Sequence, residues 1–225
     1  MTEPEWLACT DPTPMLAFLR GRASERKLRL FAVACCRHIR VLKDDAASLE
    51  AVEVAERFAD GLASESVRRA ARESTRVFDI YRGGCVSNVE ILGFHTRSAA
   101  SFACDEIVRL HDATDHARQA ISWSGGPVIE IHARLESEMV AQCRLIRDIF
   151  GNPFRPVIVV PSWLDDTIPR IATAIYDERA FERMPELADL LADAGCTDAD
   201  ILGHCCTRSG HVRGCWVLDA LLGRS

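Results

Sequence analysis

An all-α, multi-helix bundle with one short extended strap is the fold this chain predicts. Apolar residues recur at helical spacing over most of its 225 residues. Most of those runs open on Ser, Thr or Asp and close on Gly, the usual punctuation of helix ends. A single stretch, "GNPFRPVIVVPSW", breaks the rhythm, because its prolines bracket "VIVV" and push the residues before them toward extended backbone.

Taken in order, "TPMLAFLRG" predicts a short helix stopped at Gly21. Ser24 caps the next, "ERKLRLFAVACCRHIRVL". Asp45 opens a helix that ends at Gly61, and Ser64 opens another that runs to Gly83-Gly84. A looser stretch is expected at 85–95, then one helix over 97–122, broken by "SGGP". Pro127 suits the first turn of a helix reaching Phe150. The strap covers 152–163. After it come "DTIPRIATAIYDERAF", "PELADLLADAG", "TDADILGHCC" with a Thr197/Asp200 capping box, and a terminal helix "HVRGCWVLDALLG". The length suits a single helical domain, 1–225, with one sub-boundary candidate near Gly151 that would separate 1–150 from 151–225.

A hydrophobic fraction of 48% and a charged fraction of 27% are those of an ordinary globular chain, so disorder is not expected. The net charge of −6 argues against a dedicated nucleic-acid binder. The acidic, proline-bearing start is unlike a signal peptide, and no apolar run has membrane-spanning length, so a cytoplasmic protein is expected. In that setting the ten cysteines are read as reduced thiols, packed as small hydrophobes or binding metal.

Two cysteine–histidine groups are candidate metal ligands. On the helix after Ser24 the wheel puts Leu28, Phe31, Cys35, Ile39 and Leu42 on one face. Arg26, Arg29, Arg37 and Arg40 fall opposite, as a solvated ridge or a docking face for acidic groups. Cys35 and His38, three apart, reach one ion or are simply core thiol and edge imidazole. Near the end, His204, Cys205, His211 and Cys215 crowd together. Read as helix, the last two share a face with Leu218 and Leu222 at the i, i+4 spacing that serves zinc. The plain alternative is core packing anchored by Trp216, and a nucleophilic Cys215 with His211 as base is a third reading. If the first and last helices pack together, Cys35, His38, His211 and Cys215 form one set.

The segment 103–120 offers His111, Asp112, Asp115 and His116, with His95 upstream and Asp148 or Asp177 downstream. The His111-Asp112 dipeptide suits a metal-dependent hydrolase; a charged outer helix face is the plainer reading. Phosphate-binding glycine motifs and the G-x-S-x-G elbow are absent from the sequence.

"EWLACTDPTPMLAFLRGRASERKLRLFAVACCR", "IFGNPFRPV", "AIYDERAFERMPELADLLADAGC" and "HVRGCWVLDALLG" resemble stretches of a family of uncharacterised bacterial proteins. The resemblance implies an accessory role and brings no activity, cofactor or catalytic residue with it. The expectation is therefore a non-enzymatic helical module with a protein partner, with no nucleic acid and no membrane. A module stabilised by structural zinc is the alternative, and the hydrolase the second alternative.

Overall fold

The computed structural model describes residues 1–75, 88–105, 110–122, 128–164, 166–207 and 210–224. Within its helices the side chains of 88–91, 93, 110, 111, 122, 128 and 129 lie outside the description. Among the described residues the chain is all helix and loop, with no strand, so the predicted fold class is the observed one. No helix among them is long and apolar enough to cross a membrane. The chain divides into two compact units. One holds Met1 and Ala8–Cys143, the other Thr2–Leu7 and Arg144–Ser225.

Helix α1 (Glu3–Ala8) lies in the second unit up to Leu7, and the first unit holds α2 (Pro12–Leu19), α3 (Glu25–Arg37), α4 (Ala46–Ala59), α5 (Glu65–Ser74), α6 (Asn88–Ala103) and α7 (Leu110–Ser122). The caps fall where the sequence puts them. Ser24, Asp45 and Ser64 accept from the backbone N–H groups of Lys27, Ser48 and Val67. Helix α3 stops at Arg37 and a 3-10 turn, Arg40–Asp44, follows, yet Ile39 and Leu42 stay buried. Helix α5 closes at Ser74, and the predicted end at Gly83-Gly84 lies outside the described residues. The segment read as loose at 85–95 is helical from Asn88, and the single helix expected over 97–122 is two helices, because the chain turns at Cys104 and Asp105.

That turn is held by two arginines, of which the helical wheel placed Arg29 in solvent. Arg29 is 2% exposed, and its Nη1 donates to the carbonyls of Ala103 (2.7 Å) and Asp105 (2.8 Å). Arg68, equally buried, donates to Cys104 O between them. Both guanidinium groups lie over the Phe58 ring, at 5.0 and 5.3 Å. The last carbonyls of a helix have no intrahelical donor and carry the negative end of its dipole, so a buried cation is well placed there. Of the rest of the predicted ridge, Arg40 is exposed and the other two are paired. Arg26 pairs with Asp60 and Arg37 with Glu56.

The long helix α8 (Val128–Phe150) contributes to both units. In the second unit α9 (Thr167–Glu178), α10 (Met184–Asp193), α11 (Ala199–Cys205) and α12 (Trp216–Leu221) enclose a core built on Trp163, Ile175, Tyr176, Leu187, Leu191 and Leu218. Asp198, not Thr197, caps α11, through the N–H groups of Asp200 and Ile201. The strap is irregular to Val160 and ends in a 3-10 turn, Pro161–Trp163. The α1 segment closes this unit, with the Trp6 indole donating to Gly151 O (3.2 Å) and Arg147 donating to Trp6 O (2.7 Å). Gly151 has φ +65, and a Cβ there would stand 3.1 Å from Trp216 Cγ.

Two stability predictions follow from these contacts. Arg29→Met leaves helix-end carbonyls without donors and should lower stability to urea by about 3 kcal/mol, while Arg69→Ala, on the surface, costs about 0.5 kcal/mol or less. Gly151→Ala combines left-handed backbone with the Trp216 clash and should cost about 2–3 kcal/mol. Gly61→Ala has φ +73 but open space, and should cost about 1 kcal/mol. Equal losses for the two glycines would remove the packing argument.

Candidate metal centre

Four side chains of the second unit converge. Asp148 comes from the last turns of α8, His204 from α11, His211 from the turn before α12, and Cys215 from the N-cap position of α12. One donor atom from each lies within 4.8 Å of all the others. Asp148 Oδ1 is 2.8 Å from His211 Nδ1 and 3.2 Å from His204 Nε2. Cys215 Sγ is 3.2 Å from His204 Nε2 and 3.9 Å from His211 Nδ1. A tetrahedral ion with bonds of about 2.0–2.3 Å separates its donors by roughly 3.3–3.7 Å. The group is close to that size without rearrangement.

The surroundings orient the donors. The His211 ring spans two acceptors, with Nε2 donating to Thr207 O at 3.0 Å and Nδ1 turned toward the group. The second carboxylate oxygen of Asp148 accepts from the Val212 N–H at 3.0 Å. His204 packs edge-on against His211 and tilts over Trp216, with ring centroids 4.7 and 4.9 Å away. Metal-binding imidazoles typically fix their second nitrogen on a backbone carbonyl in this way.

Burial works to raise the Asp148 carboxyl, but hydrogen bonds from His204 and His211 outweigh it and hold the group below its ordinary value. Burial works to lower His211, but the hydrogen bond and charge of Asp148 and the Thr207 carbonyl together outweigh it, so the imidazole is raised. Burial pushes the Cys215 thiol far up, and the Asp148 charge adds to that. A thiol so placed is a poor nucleophile. His204 also meets both Asp148 and Cys215 through the same Nε2, so the three do not form a proton relay. A bound cation reverses the thiol's position, because it takes the sulfur as thiolate.

The sequence named His204, His211 and Cys215 but gave the last two the wrong geometry. They do not share a helix: α12 starts at Trp216, and Gly210 (φ +99) and Gly214 (φ +90) hold a turn in the left-handed region. Asp148 appeared in the sequence only as a spare acid for a different site; nothing local in α8 marks it. Cys205, beside His204, is buried and pushed up to about 12 by that burial, and it is not part of the converging group.

Cys35 and His38 belong to the first unit. Cys35 is fully buried and its thiol is raised well above its usual range by burial, while His38 Nδ1 meets Glu138 at 3.1 Å. Of the hydrolase set, His95 and His116 do meet, Nδ1 to Nδ1 at 2.8 Å, between Phe94 and Phe102. Asp112 is exposed, and the His111 side chain lies outside the described residues. His116 is half-buried and Asp105 buried, so the charged outer face expected for this segment is only partly one.

Comparison with protein-family models, with curated proteins and with solved structures finds no match to this chain.

The histidine pair makes a pH prediction. Burial, with the neighbouring His116 adding to it, lowers His95 to about 4, and burial lowers His116. Between that value and the ordinary imidazole range near 6.5 the unfolded chain binds more protons than the folded one. The stability of the first unit is therefore full above about pH 6.5 and falls as the solution is acidified toward 4. Amide exchange of α6 and α7 at pH 7.5 and pH 5 measures this. His95→Gln should flatten the dependence, and an unchanged slope would remove the pair as its source.

Proposed function

We propose that this protein is a non-enzymatic helical module whose second unit is stabilised by a structural zinc ion, held by Asp148, His204, His211 and Cys215. The observation that carries the reading is the convergence of four donors from three parts of the chain, α8, α11 and the turn before α12, three of them on buried residues. Thiolate and imidazole together favour zinc over calcium or magnesium. Four protein donors fill a tetrahedral shell and leave no position for a substrate or an activated water, which is the pattern of a structural ion. The ion gives a buried carboxylate and a buried thiolate a counter-charge that the apolar core does not supply. It also ties α8, α11 and the turn before α12 to one point.

The function of such a module is to present a fixed surface to a protein partner. A cytoplasmic setting fits this reading, since reduced thiols are what the site needs, and no disulfide joins the nine cysteines among the described residues.

The test is elemental mass spectrometry of untagged protein, purified under reducing conditions without chelator. About one zinc per chain is expected. His211→Ala and Cys215→Ala should each abolish it, while Cys35→Ala leaves it unchanged. An ion present at a thousandfold its Kd adds about 4 kcal/mol, so chelation should lower the melting temperature clearly. Acidification should release the ion as protons compete with it for the ligating side chains. Protein that is free of metal yet folds and melts as before with added zinc would overturn the reading.

A further inference from the structure

In the strap of the second unit, burial alternates. Val157 and Val159 are partly buried and pack against the core, while Ile158 and Val160 face outward, 77% and 39% exposed. Val160 is extended (φ −85, ψ 131). Alternation at period two is the signature of a half-buried strand, yet no strand among the described residues pairs with it. No hydrogen bond joins the N–H groups of Val157, Ile158, Val159 or Val160 to any other described residue.

We propose that the strap is a dimer edge, which pairs antiparallel with the same strap of a second copy about a two-fold axis at Ile158. Residues of like parity direct N–H and C=O to one edge of a strand, here Pro156, Ile158 and Val160. In a register centred on Ile158, each Ile158 exchanges both hydrogen bonds with its twin. Each Val160 then faces Pro156 of the second copy and donates to its carbonyl. The return bond from residue 156 to Val160 O cannot form, because proline has no N–H. It is not needed, because Val160 O already accepts from Trp163 N at 2.9 Å. The missing donor of Pro156 and the already satisfied acceptor of Val160 therefore meet when the chain pairs with itself. Two-fold pairing also sets Pro156, Ile158 and Val160 of both copies in one apolar stripe with no charge in it.

The proposal does not rest on the metal centre, and its test uses protein carrying whatever metal it is purified with. Sedimentation velocity from about 5 to 500 μM should show a reversible dimer, weak because a strand pair this short covers less than a standard interface. In the dimer range the amides of Ile158 and Val160 should slow in hydrogen exchange, and those of Val157 and Val159, on the other edge, should not. Val160→Pro removes the donor, at a backbone angle close to proline's own and with no internal bond lost. It should raise the dimer Kd at least tenfold with helicity unchanged, as should Ile158→Lys. A chain monomeric throughout that range, or a dimer that neither variant weakens, would overturn the proposal.

Discussion

A carboxylate buried in the second unit has to be surrounded by donors, and Asp148 is that carboxylate. Withdrawn from water, it would sooner take up a proton than stay charged. His204, His211 and the Val212 amide keep it ionised, and to reach it they must come from α11 and from the turn before α12. The path of the chain from 204 to 215 is therefore set by one side chain near the end of α8. The Cys215 thiol is drawn into the same space by that path. The zinc ion proposed for this site would satisfy all four at once.

The first unit meets a similar constraint with the opposite sign. The carbonyls at the end of α6 face inward, where water does not reach them, and Arg29 and Arg68 supply the missing donors. The aliphatic stems and the Phe58 ring let these guanidinium groups lie inside an apolar core. Each unit thus places its charged side chains where backbone or acid would otherwise stand unpaired. Residues 157–160 of the strap are the exception, since their N–H groups find no partner within the described chain, and pairing between copies is the arrangement that supplies one.

Helices, caps and the strap could be read directly from the sequence, because each depends on neighbours within a few residues. Period, a Ser or Asp at the cap, and proline on either side of "VIVV" are local signals, and Ser24, Asp45, Ser64 and Val160 behave accordingly. Three members of the metal group could be named for the same reason, since His204, His211 and Cys215 lie close together in the chain. Their true relation could not be read, because "GHVRGCW" keeps an acceptable helical pattern until Gly210 and Gly214 take left-handed angles.

What the sequence determined by itself is the all-α class, the starts of α3, α4 and α5 and the existence of a Cys/His cluster. What only the tertiary structure decided is which charged residues turn inward. The wheel sends Arg29 to solvent because it weighs one helix alone, and the carbonyls that draw it in belong to a turn 74 residues downstream. Asp148 is likewise one acid among 33 acidic residues until the chain folds back 63 residues later to set His211 against it. Burial of a charge is decided by distant partners, and no local pattern records them.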